Sequence, residues 1–110
     1  MSAQPAKKTN DVGVRMGATA AGPGFDMISA IQAFDVAQLR SAGCWADAKT
    51  DSVTIKVRFI PAGLAVSAEV ADRKIVGEQA AACFEREFRR TAVPAFVGEE
   101  TTIRRTMQRP

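Results

Sequence analysis

Few side chains in this sequence could do chemistry: two cysteines (Cys44 and Cys83), one tryptophan (Trp45), and scattered acids and bases. Histidine is absent, which removes the commonest general base and denies the chain a Cys₄ or Cys₂His₂ zinc site. Cys44 and Cys83 do not have Cys-x-x-Cys spacing, and no imidazole is present to activate either thiol, so redox catalysis is a poor reading. Three readings of the pair stay open. The cysteines could form a disulfide between the end of one predicted helix and the middle of the next. They could be inert buried thiols, as in a reducing compartment, or thiolates sharing a metal with a carboxylate such as Asp47. A disulfide closing a loop of this size stabilises by about 3–4 kcal/mol in the chain-entropy picture. Trp45, next to Cys44, is placed to cover the core margin rather than to anchor a ligand.

The acids do not converge. Glu85 and Glu87 are two apart on a predicted helix and point to different sides, while Glu99 and Glu100 belong to a solvated turn. With no glycine-rich phosphate cradle and no nucleophile–base pair, the expectation is a non-enzymatic protein with no metal and no cofactor. A formal charge of +3 is too small for a nucleic-acid footprint. Lys56, Arg58 and Arg104 are expected on an open sheet face, and Arg86, Arg89 and Arg90 on a helix. Glu69, Glu85 and Glu87 lie among them, and no exposed aromatic ring is available for base stacking. Nucleic acid and small-molecule substrates are therefore not expected partners.

The elements that would position these residues fit one domain, since 110 residues can close a single modest core. No apolar run approaches the roughly 18 residues of a membrane span. Met1–Thr9 carries Lys7 and Lys8, but no hydrophobic stretch of a signal peptide follows. Residues 1–24, rich in alanine, glycine and proline, read as a tail or linker that admits a short strand at Val12–Met16, and Gly22-Pro23-Gly24 marks its end. Asp26 is a predicted N-cap with Phe25 folded back over the first turn. In the helix that follows, Met27, Ala30, Ile31, Phe34, Ala37 and Gln38 share a face, Ile28 and Leu39 widen it, and Gly43 ends it. Ser52–Phe59 switches to a period of two, with Val53, Ile55, Val57 and Phe59 inward. Pro61-Ala62-Gly63 turns the chain into a second strand whose predicted inward residues are Leu64, Val66, Ala68 and Val70. Gly77–Thr91 reads as a helix with an apolar stripe of Ala80, Ala81, Phe84 and Phe88, and with Glu85 in solvent. Val93 and Phe96 then close the core edge, and Glu100–Met107 forms a last, partly polar strand. The expected fold is a two-layer αββαβ arrangement, an antiparallel three-stranded sheet with both helices on one face.

Taken in order, several features resemble the C-terminal domain of TonB-type energy transducers. They are Phe25-Asp26 with an alanine-rich helix, Cys44, SVTIKVRFIPAGLAVSAEV, Gly77, Cys83, FEREFRRTAVPAF, Gly98 and a terminal strand. The likeness spans about 85 residues, and it is nearest to the two-cysteine version found in myxobacterial envelope and gliding-motility proteins. The resemblance implies a TonB/TolA C-terminal-like fold over residues 25–110 and a Cys44–Cys83 disulfide. It also implies a periplasmic location within an inner-membrane-anchored parent protein, and a role in protein–protein interaction and energy transduction. TonB-type domains engage extended partner segments by strand addition. The corresponding edge here is Thr101, Thr102, Ile103, Arg104, Arg105, Thr106 and Met107, with acidic partner residues opposite the arginines. The same edge could pair with a second copy, forming a homodimer, or be closed by Val12–Met16. The second functional expectation is a structural scaffold domain of an envelope complex, and the third is a small nucleic-acid-binding protein.

Overall fold

A computed structural model describes residues 22–110, so the predicted strand at Val12–Met16 lies outside the described residues. The elements follow as α1 (Met27–Arg40), a 3₁₀ helix (Ala42–Asp47), β1 (Ser52–Phe59), β2 (Ala65–Val70), the single-turn α2 (Arg73–Val76), α3 (Glu78–Phe88) and β3 (Thr101–Gln108). The strands form one antiparallel sheet in the order β2-β1-β3. The mixed α/β fold and its antiparallel sheet agree with the sequence reading.

α1 starts where its cap dictates. Asp26 Oδ1 accepts from the Ser29 backbone N–H at 3.0 Å and Oδ2 from the Ser29 hydroxyl at 2.9 Å, satisfying a donor the helix cannot pair internally. The helix stops at Arg40, and Gly43 does not end it in a left-handed turn. That glycine sits inside the 3₁₀ helix, whose entry bond runs from the Cys44 N–H to the Ser41 carbonyl. Only Ala30, Phe34 and Ala37 of α1 are buried. Met27, Ile28, Ile31, Val36 and Leu39 are exposed, so the wide apolar face expected from the sequence is largely outward.

β1 matches the expected phase, with Val53, Ile55, Val57 and Phe59 buried. β2 follows it only in part. Ala68 and Val70 are buried, but a bulge between Arg58 and Phe59 pairs Phe59 with Ala65 and skips Val66. The extra residue shifts the inward phase, leaving Val66 and Leu64 exposed. The turn needs its glycine, because Gly63 has φ +91° and an added Cβ would run into the Val93 carbonyl oxygen. The Gly63 carbonyl accepts from the Val93 N–H and the Pro61 carbonyl from the Phe96 N–H, which lays the post-α3 loop against the hairpin.

The helix predicted over Gly77–Thr91 is α3, which ends at Phe88, and a single helical turn that the sequence reading did not include, α2, precedes it. Asp72, in the left-handed region, opens α2, and Gly77 at φ +106° separates it from α3. Ala80, Ala81, Phe84 and Phe88 are all buried, as the stripe requires. One cluster joins them to β1, Phe34, Val93, Phe96 and Met107. Phe34 packs against both Phe59 and Phe88, with centroids 6.1 and 5.4 Å away, so both long helices cover the same sheet face.

Candidate functional site

The two edges of the sheet are the places where this fold could meet an extended partner. The β2 edge is only six residues long and carries the bulge. Its Val70 N–H, which faces away from β1, donates to Glu85 Oε2 at 2.9 Å, and Arg73 pairs with the same carboxylate. Glu85 is therefore not a solvated group, as its place in the sequence suggests. Its side chain is 13% exposed and blocks the edge.

The β3 edge is different. Its eight residues pair without interruption to Ser52–Phe59, and among the described residues nothing pairs with its outer side. Thr102, Arg104 and Thr106 belong to the open face. Arg104 lies directly across from Lys56, and Thr106 shares a hydroxyl hydrogen bond with Thr54 at 2.8 Å. Lys56, Arg58, Ser67, Glu69 and Thr102 line a shallow depression of about 200 Å³ on this face, and Arg58 is paired with Glu100. Thr101, Ile103, Arg105 and Met107 fall on the helix side. Met107 is 1% exposed and belongs to the core.

Arg105 is not presented to a partner. It donates to Gln38 Oε1 at 2.7 Å and Asp35 Oδ1 at 3.0 Å, and its guanidinium lies over the Phe34 ring. It thus fastens α1 to β3. Arg109 fastens the end of β3 in a similar way, through Asp51, the carbonyls of Trp45, Ala48 and Thr50, and the Trp45 ring. Arg105 shares the inward parity of Ile103 and Met107, but neither clamp's partners can be read from the local sequence. The Arg109 partners all lie at least 58 residues earlier in the chain.

Cys44 and Cys83 are joined by a disulfide with an S–S distance of 2.04 Å, tying the 3₁₀ helix to α3. Trp45 is buried beside it, edge-on to Phe84 at 5.0 Å, where it covers the core. No group of three or more potential metal ligands occurs among the described residues, and no described helix is long and apolar enough to cross a membrane. Asp26 is held below the ordinary carboxylate range by the Ser29 N–H and hydroxyl that donate to it. Arg73 is held above the ordinary guanidinium value by Glu85 first and Glu78 second.

No family model, curated protein or solved structure matches the chain.

Proposed function

We propose that the chain is a non-enzymatic protein-interaction domain of TonB C-terminal-like type that binds an extended partner segment by strand addition along β3. The observation that carries this reading is the asymmetry of the sheet. β2 is short, bulged and capped by Glu85, whereas β3 has eight regularly paired residues and no described neighbour outside. Main-chain N–H and C=O groups on such an edge supply affinity without a pocket. The Cys44–Cys83 disulfide supports an oxidising compartment, which fits a periplasmic domain of an inner-membrane-anchored energy-transduction or gliding-motility protein.

Crosslinking and pull-down from the native cell envelope, followed by amide NMR titration with the recovered peptide, tests this reading. Strand addition is expected to perturb and protect Thr101–Gln108. Shifts confined to Met27–Arg40, with β3 unchanged, would replace it with docking on the helix.

A further inference from the structure

α1 carries five exposed large hydrophobic residues on fourteen positions, an unusual load for the outside of a small domain. At 3.6 residues per turn they are not scattered. Arg40, on one flank of the helix, reaches Glu87 of α3. The opposite flank meets β3, since Arg105 bonds to Asp35, Gln38 and the Ile31 carbonyl. Met27, Ile28, Ile31 and Leu39 lie toward this second flank. They form an apolar row above the open edge of β3, with half-buried Ile103 continuing it on the strand.

We infer that this row and Arg104 together select the partner segment, an extended strand alternating apolar residues with acidic ones. The inference rests on the strand-addition reading. Residues paired across neighbouring strands project on the same face. Partner side chains opposite Ile103 and Arg105 therefore point toward α1, and those opposite Arg104 point to the open face. Met27 to Leu39 spans about 18 Å, which five or six extended residues cover with three side chains on the helix side. On the other face Arg104 stands directly opposite Lys56, and neither makes an ion pair among the described residues. Lys56 has Glu69 directly across from it on β2, so the cation of this row with no acidic residue opposite is Arg104, and a carboxylate on the strand that adds beside it is the complementary group. The chain's own Val12-Gly13-Val14-Arg15-Met16 has the apolar alternation but would bring Arg15 to the face where Arg104 and Lys56 already stand.

Three eight-residue peptides test the inference on the full chain by amide NMR: valine alternating with aspartate, valine with lysine, and threonine with aspartate. The valine–aspartate peptide is expected to protect Thr101–Gln108 and to bind at least about fivefold more tightly than the other two. Ile28→Ser and Leu39→Ser, at positions 70% and 78% exposed, are expected to leave the melting temperature unchanged and weaken that peptide about fivefold. Arg104→Glu is expected to move the preference to the valine–lysine peptide. Equal binding of all three at β3 would overturn the selection and leave strand addition standing. So would failure of all three alongside protection by a peptide recovered from the envelope. Shifts on α1 with β3 unmoved would overturn both. Protection of β3 without peptide that Val14→Pro abolishes would assign the edge to the chain's own amino-terminal segment. Protection that grows with protein concentration would assign it to a second copy. Either result overturns the inference.

Discussion

The β2 side and the β3 side of this small sheet are built from similar materials and finished in opposite ways. On the β2 side, α3 is strictly two-faced. Phe84 and Phe88 are fully buried, and its polar face supplies Glu85 to cap the strand and pair with Arg73. On the β3 side, α1 buries only Phe34 and two alanines and keeps isoleucine, leucine, valine and methionine in solvent. A folded domain has every reason to bury apolar surface and to blunt a strand edge, and the β2 side does both. Among the described residues the β3 side leaves its edge unpaired and much of the apolar surface of α1 exposed, though its strand is the longer and more regular. Among the described residues, the fully buried helix stripe, the disulfide and the capped strand lie on the β2 side, and the exposed apolar residues of α1 and the uncapped strand lie on the β3 side.

The largest effect that would sharpen this contrast comes from the two helix faces. Phe84→Ala removes a ring with no exposed surface and should cost about 3–5 kcal/mol. Leu39→Ser, at 78% exposure, should change stability by less than about 0.5 kcal/mol. Urea unfolding of the two variants checks this, and similar midpoints would abolish the division of labour.

Next comes the covalent tie. Cys44 and Cys83 are 39 residues apart, and losing the bond should cost up to about 4 kcal/mol in the chain-entropy picture. The oxidised protein should be two hydrogens lighter than the reduced one, and peptide mapping should join the two cysteines. Because the bond anchors α3, reduction should raise hydrogen exchange in Glu78–Phe88 more than in β3. Equal loss of protection on both sides would mean that the two halves are one cooperative unit.

Glu85→Ala probes the blunted edge itself. It leaves the Val70 N–H without its acceptor, a cost of about 1–3 kcal/mol, whereas Glu78→Ala removes only an exposed pairing. The Val70 amide should lose exchange protection selectively in the first variant. If its exchange is unchanged, Glu85 does not cap the β2 edge, and the asymmetry rests on the bulge alone.

The sequence made legible what depends on local period. The alternation of Ser52–Phe59, the α3 stripe, the Asp26 cap and the glycine turn all match the structure, because each is decided within a few residues. The Cys44–Cys83 bond followed from the count and the family likeness. What escaped depends on contacts made at long range. A bulge opposite Arg58 and Phe59 turned Val66 outward, since one additional residue puts Leu64 to Val66 out of phase with Ala68 and Val70 beyond it. Arg105 shares the parity of Ile103 and Met107, which is a hint that it points inward, yet its partners in α1 lie about seventy residues away. The α1 face was overestimated because its sequence is apolar nearly all round, and periodicity cannot tell a buried apolar face from an exposed one.

The smallest expected effect is a pH response confined to the α1 side. Asp26 starts α1 next to Met27 and Ile28, and its carboxylate accepts two hydrogen bonds from Ser29 that hold its pKa below the ordinary carboxylate range. A depressed carboxyl pKa means that the unfolded chain takes up a proton at higher pH than the folded one does. The cap's contribution is therefore complete above the ordinary carboxylate range and is lost as pH falls through it toward the lowered folded value. Acidification below about pH 4 should first loosen the amides of Ser29–Ile31 and the apolar row they carry. In Asp26→Asn, which keeps an acceptor oxygen but does not titrate in this range, that local loosening should disappear. Hydrogen exchange across the acid range in both proteins gives the answer. If Ser29–Ile31 loosen identically in Asp26→Asn, some other group governs the amino-terminal turn of α1.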